Sequence, residues 1–176
     1  FDRNMRVIEG SGMPNPAVRF HLWVYDRQPD TEAIVHTHPP FASALSMLGE
    51  ELAIAHMDAM MFFDNCGYLQ KWPGLPFGNR EGEIISHALD GKKAALLGHH
   101  GIIAAGASLE ESLYLAISFE HAARLQLRAR AIGEIQTVQA ELGPEAREFL
   151  LSESHVNATF DSWGRMMVAR FPEVLD

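Results

Sequence analysis

Apolar and polar positions along this chain fall into short blocks rather than one long period. Residues 20–25 (FHLWVY) form an apolar, aromatic block whose pattern fits a strand or the buried face of a helix equally well. A turn over 26–30, with Pro29, follows it. Residues 33–38 (AIVHTH) are a short β-branched run and predict a strand. Pro39-Pro40 ends it, because proline cannot donate to the ladder. Residues 41–48 then read as a short helix closed by Gly49. More apolar material spans 52–63, broken by His56 and Asp58. Gly67, Pro73, Gly74 and Pro76 make 64–78 a predicted loop. Asn79 is a predicted cap for a helix to about Leu89, with Gly91 at its end. Residues 94–97 (AALL) predict a buried strand leading into Gly98-His99-His100-Gly101, with 102–105 as its continuation.

The clearest helix begins at Ser108. Ser108 and Glu111 have the spacing of a capping box, in which each side chain answers an orphan backbone donor. Leu109, Leu113, Ala116 and Ile117 recur at helical spacing, and the helix should run to about Ile132, before Gly133. A further helix is expected near Pro144. Strands alternate with helices, so the class is α/β or α+β. There is no repeat, low-complexity tract or linker, and one domain over 1–176 is expected.

Composition narrows the partners. Hydrophobic residues at 47% against 21% charged mark a globular chain and not a disordered one. Fourteen Lys+Arg against 23 Asp+Glu leave a net charge of −9, which argues against nucleic acid or an anionic membrane as partner. The single cysteine, Cys66, leaves no internal disulfide or cysteine-based metal cluster and suits a reducing, cytoplasmic setting. No apolar run approaches a membrane span. The opening FDRNMR has no leader pattern and no initiator Met, so a processed or partial product is expected.

Nine histidines remain to be explained. His36 and His38 sit at i and i+2 on a predicted strand, so both imidazoles share one face, roughly 6–7 Å apart at Cα. Two rings at that spacing can converge on one metal ion at about 2.0–2.1 Å each. His100 lies at the mouth of another strand, between glycines that allow close approach. Neighbours on a strand face opposite ways, so at most one of His99 and His100 can join the pair. Three imidazoles with an open position describe a catalytic metal site rather than a closed structural one. His21, His56, His87, His121 and His155 read as structural or exposed.

The stretch RFHLWVYDRQPDTEAIVHTHPPFASALSMLG and the later KKAALLGHHGIIAAGASLEESLYLAISFEHAARLQ together resemble the class II aldolase/adducin family. That resemblance covers most of 6–130 and rests on an H-x-H after one strand and an H-G at the end of another. It implies a three-layer α-β-α fold with a central, mainly antiparallel sheet. It implies a divalent cation held by His36, His38 and His100: zinc first, with Mn²⁺, Co²⁺ or Fe²⁺ as alternatives. It also implies a homotetramer with active sites between subunits. In the family a polar residue such as Asn precedes the third ligand, so His99 is not expected to be one. The domain is expected to lack the family's N-terminal segment.

Three departures from the family pattern shape the expected chemistry. Asn15-Pro16-Ala17 stands where the aldolases have Ser-Ser and a catalytic acid, so Ala17 replaces the acid and two phosphate-holding serines are lost. Met57 replaces the family's tyrosine after His56. The family's enzymes break or make a C–C bond beside a carbonyl through a metal-stabilised enolate. Retro-aldol cleavage needs a base and an acid, whereas decarboxylation needs only the acid. The expected enzyme is therefore a metal-dependent lyase, decarboxylating or retro-aldol, for a small hydroxy- or oxo-acid carboxylate. Replacement catalytic groups are sought in His21, His99, Asp64 and Tyr68, with Asn65 beside them, and substrate contacts at Asn15 and Gly101. Trp72, Trp163 and Met60-Met61 are expected in core or interface, and Arg124, Arg128 and Arg130 on a solvated or inter-subunit face. An adducin-like assembly module without catalysis and a zinc hydrolase are the competing readings.

Overall fold

The structure, a computed structural model, describes residues 2, 4–75 and 79–175. The cap expected of the Asn79 side chain and the 76–78 part of the predicted loop lie outside the described residues. Among these residues no helix is long and apolar enough to cross a membrane.

The ambiguous aromatic block resolves as helix α1 (Val18–Arg27), because Phe20 and Val24, one turn apart, both bury completely. Strand β1 (Ala33–Thr37) and helix α2 (Pro40–Ser46) follow as the β-branched run and the Pro-Pro break predict. A 3₁₀ segment, Met57–Phe62, buries Met60 and Met61 in the core. Next come β2 (Cys66–Leu69), α3 (Asn79–Leu89), β3 (Ala94–Leu97) and β4 (Gly101–Gly106). Helices α4 (Leu109–Arg130), α5 (Gly143–Leu150) and α6 (Glu153–Arg170) complete the chain, and α6 has no counterpart in the sequence prediction.

The four strands form one sheet in the order β1-β4-β3-β2. β1 pairs antiparallel with β4, with His36 opposite Ile103, and β4 pairs antiparallel with β3. β3 pairs parallel with β2. Helices cover both faces. On one, Phe20 and Val24 of α1 and Ile85 and Leu89 of α3 pack on Ala95, Leu97, Ile103 and Ala105. On the other, Leu115, Phe119 and Ala123 of α4, with the 3₁₀ methionines, pack on Ala94, Leu96, Ile102 and Ala104. This is the expected three-layer α/β arrangement with a mainly antiparallel sheet.

Four expectations need correction. Part of the predicted loop is β2: this four-residue, half-buried edge strand, parallel to β3, shows no alternation in its sequence, and its Gly67 is there for space. A Cβ at Gly67 would stand 1.8 Å from the carbonyl oxygen of Ala88. The apolar stretch 94–105 is two strands, since Gly98, His99 and His100 reverse the chain, with His99 in the left-handed region at φ 56°. On α4 the predicted stripe is only partly the buried one: Ala116 is buried, but Leu109 is 61% and Ile117 42% exposed, and Leu115, Phe119 and Ala122 turn inward as well. The capping box is half made. Ser108 Oγ accepts from the Glu111 N–H at 3.1 Å, but the Glu111 carboxylate accepts from Ala107 N–H at 2.6 Å and pairs with Lys93.

Gly67→Ala is expected to cost about 1–3 kcal/mol by forcing β2 away from α3. Urea denaturation of the variant against the wild type checks this; an unchanged midpoint would show that the contact is not needed.

Candidate metal centre

His36 is the next-to-last residue of β1 and His38 stands one residue beyond the strand. The alternation of the strand sends both rings to the face covered by α1 and α3. His100 is delivered to the same spot by the β3–β4 reversal, in which His100 N–H donates to Leu97 O at 3.0 Å. The three ring centroids are 4.9, 4.8 and 4.7 Å apart. One nitrogen from each ring lies within 4.8 Å of the other two. Sequence positions 36, 38 and 100 therefore meet in space as predicted.

Two of the three rings, His36 and His100, are pushed toward the neutral form. His36 Nδ1–H donates to Ile102 O at 2.9 Å, which fixes the tautomer and leaves Nε2 with its lone pair free. His38 Nε2 lies 3.1 Å from it. Two nitrogens bound tetrahedrally to one ion at about 2.1 Å would stand about 3.4 Å apart, so the pair could hold one with a small opening. Burial, and next the His100 ring, push the His36 imidazole down to about 4. Burial, then His38, lowers His100. His100 Nδ1 is buried with no hydrogen-bond partner among the described residues, an orphaned nitrogen of the kind a ligand set leaves before its ion is added.

The rings open into a cavity of about 380 Å³. Asn15 and Ala17 at the start of α1 form one wall with the buried Phe20, Glu81 in the first turn of α3 another, and Trp72 and Leu75 an apolar rim. Trp72 was expected in core or interface; it lies on this rim, 48% exposed. A larger groove of about 660 Å³ between α4 and α6 is lined by four acids and Lys93 together with as many apolar and neutral residues, and its described lining includes no histidine. The three converging histidines line the smaller cavity.

The remaining candidates divide clearly. Gly101 acts as a spacer: a Cβ there would stand 2.4 Å from Thr37 O and 2.7 Å from the His38 ring. Asn15 lines the cavity, but its Oδ1 accepts from Ala17 N–H at 2.9 Å and so shapes the turn into α1. His21 sits on α1 with its ring 6.4 Å from that of His36, outside the converging set. His99 is exposed, and its N–H donates to Ser46 O. Asp64 is exposed in the turn before β2, and neighbouring Asn65 is used structurally by Lys93 N–H and Met61 O. Tyr68 pairs in register with Leu96, so its ring lies on the opposite face of the sheet from His36. Trp163 stacks on Tyr114, as expected of a core position. On α4, Arg124 meets His121, Arg128 lies over the Phe41 ring, and Arg130 pairs with Glu50. Sequence reasoning missed Glu81, because an acid in a helix's first turn ordinarily reads as a dipole complement.

Comparison with known proteins bears on this geometry. A family profile described as Class II Aldolase and Adducin N-terminal domain matches residues 1–127. The L-fuculose phosphate aldolase of Escherichia coli O6:H1 is 37% identical over 132 residues, which cover 74% of this chain and 60% of that one. Decarboxylase NovR of Streptomyces niveus is 28% identical over 137 residues, covering 77% of this chain and 51% of that one. The chain thus spans about 60% of the length of the aldolase it matches. The solved L-fuculose 1-phosphate aldolase from Glaciozyma antarctica PI12 superposes with a TM-score of 0.85 at 23% identity, over 98% of this chain and 68% of that one, which shows the fold.

Helix α2, which begins just past His38, has no capping side chain of its own. Glu120 of α4 supplies it, accepting from Phe41 N–H at 3.0 Å and from Ala42 N–H at 2.8 Å. Glu120→Ala should cost about 1–2 kcal/mol, as loss of a charged cap does. Glu120→Gln, which keeps an acceptor, should lose roughly half of that. Denaturant midpoints decide it, and equal stability of all three proteins would refute the cap.

Proposed function

The chain belongs to the class II aldolase and adducin family, and from that premise we propose that it is a metal-dependent carbon–carbon lyase. His36, His38 and His100 hold one divalent cation, zinc first. The observation that carries this reading is the convergence of three imidazoles, one with its tautomer fixed by Ile102 O, on a concave cavity. When bound, such an ion would draw charge from chelating substrate oxygens and lower the energy of the carbanion that forms beside a carbonyl.

The chain's own residues then select the substrate. A cavity of about 380 Å³ suits a small molecule. The starts of α1 and α3 border it at Ala17 and Glu81, and the positive ends of two helices favour an anionic carboxylate. Phe20 and Leu75 make part of the wall apolar and limit water. Asn15-Pro16 offers no hydroxyl to a phosphate, and Asn15 Oδ1 is already engaged. The substrate is accordingly a small hydroxy- or oxo-acid.

Decarboxylation is the favoured reaction and retro-aldol cleavage the second. Ala17 lines the cavity at the position where the resemblance puts the aldolases' acid, and Met57 is exposed and outside the described lining. With both groups gone, the reaction needing fewer proton transfers fits better. The relatives include both reaction types by name. Exposed apolar side chains, among them Leu109, Ile117, Phe149 and Met166, support assembly as a homotetramer. A cytoplasmic setting accords with the lone Cys66. The exposed stripe on α4 would serve an adducin-like scaffold equally, so metal content separates the two readings.

Elemental analysis should find about one ion per chain in the wild type and less than about a tenth of that in His36→Ala or His100→Ala, with circular dichroism unchanged. A metal-free wild type that cannot be loaded with zinc would transfer the weight to the scaffold. A panel of oxo- and hydroxy-aromatic acids should release CO₂, with no aldehyde from sugar acids. Ala17→Glu should raise retro-aldol turnover; no gain in a folded, zinc-loaded variant counts against the alignment of that position.

A further inference from the structure

We propose that Glu81 is the catalytic proton donor of this cavity, delivering its carboxyl proton to the carbon from which the broken bond departs. The proposal rests on the lyase reading above and names a group that reading lacks.

Four observations carry it. Glu81 lines the same cavity as His36, His38, His100 and Ala17. It is 4% exposed, in the first turn of α3, on the sheet face that the histidines share. Both of its carboxylate oxygens are buried and accept no hydrogen bond among the described residues. An unanswered buried carboxyl is costly, and folded proteins keep few of them without a use. Finally, its oxygens are not among the atoms that converge with the three imidazoles, so it stands as a neighbour to the cluster and not as a fourth ligand.

Its chemistry complements the departure at Ala17. The family's acid would border this space from the start of α1, and here Glu81 borders it from the start of α3. Burial pushes the Glu81 carboxyl upward from the usual carboxylate range, toward the protonated form that a donor must have before the bond breaks. In decarboxylation the C–CO₂⁻ bond breaks and its electron pair stays on the carbon as CO₂ leaves. The Glu81 O–H proton then forms the new C–H bond. The resulting carboxylate regains a proton from water, so one proton is consumed from solvent in each turnover.

The test uses the zinc-loaded full chain and 3-hydroxypyruvate as an enolisable probe, following exchange of its C3 hydrogens in D₂O by NMR. The wild type should accelerate exchange over protein-free buffer. Glu81→Gln should slow it at least tenfold with zinc content unchanged, and Glu81→Asp should fall between them. Because Glu81→Gln removes an unpartnered buried acid, its melting temperature should stay level or rise. Equal exchange by wild type and Glu81→Gln overturns the assignment of Glu81 alone. Loss of zinc, or a lowered melting temperature, in Glu81→Gln assigns the residue to the metal set or to the fold and overturns the donor role. Zinc binding without any exchange in the wild type overturns the lyase reading and the donor together.

Discussion

Register between β1 and β4 decides on which face of the sheet His36 and His38 emerge. The pairing that sets His36 opposite Ile103 also carries the His36 Nδ1–H to the neighbouring carbonyl of Ile102. A slip of one residue would send both rings to the α4 side, into the layer of Leu96, Ile102 and Leu115. It would also take the Ile102 carbonyl away from Nδ1 and free the tautomer. Ring orientation, ligand charge and access to the cavity thus depend on one ladder of backbone hydrogen bonds. The two apolar layers, one on each face of the sheet, give that ladder its single register.

The pieces of the centre come from separated parts of the sequence, and each is held by something other than the histidines. The β3–β4 reversal turns on a left-handed His99 and closes on Gly101, where the absence of a side chain leaves room for the His38 ring. Past His38, the chain enters α2 under a cap donated by α4. The starts of α1 and α3 bring Ala17 and Glu81 to the same opening. Both helices are fixed on the sheet by fully buried pairs, Phe20 with Val24 and Ile85 with Leu89. The rigid sheet supplies direction, and the helix ends supply polarity.

What was legible in the sequence follows from how local each signal is. The H-x-H pair could be read because strand alternation alone puts both rings on one face. His100 could be read because Gly-His-His-Gly marks a close approach, though not that the chain reverses there. The strand β2 could not: Cys-Gly-Tyr-Leu has no alternation, and its glycine, needed against Ala88, looks like a loop signal. The inward face of α4 was misread because its exposed Leu109 and Ile117 are as apolar as its buried Leu115 and Phe119, and periodicity cannot rank two stripes. Glu81 was invisible because its meaning lies in what fails to touch it. Tyr68 and Asp64 were plausible by chemistry, but within the chain one lies on the opposite face of the sheet from His36 and the other in an exposed turn.

The glycine behind the His38 ring divides the cavity into two regimes of mutability. On the imidazole side, main chain is packed against ring so tightly that even one methyl group has nowhere to go. Across the opening, Trp72 and Leu75 ride on a connecting segment with solvent at their backs, and their bulk can change without disturbing the sheet. A designer wishing to retune what the cavity admits should therefore diversify that outer lip and leave the hairpin untouched. The same asymmetry would let divergent descendants of this scaffold swap cargo while inheriting one fixed anchor.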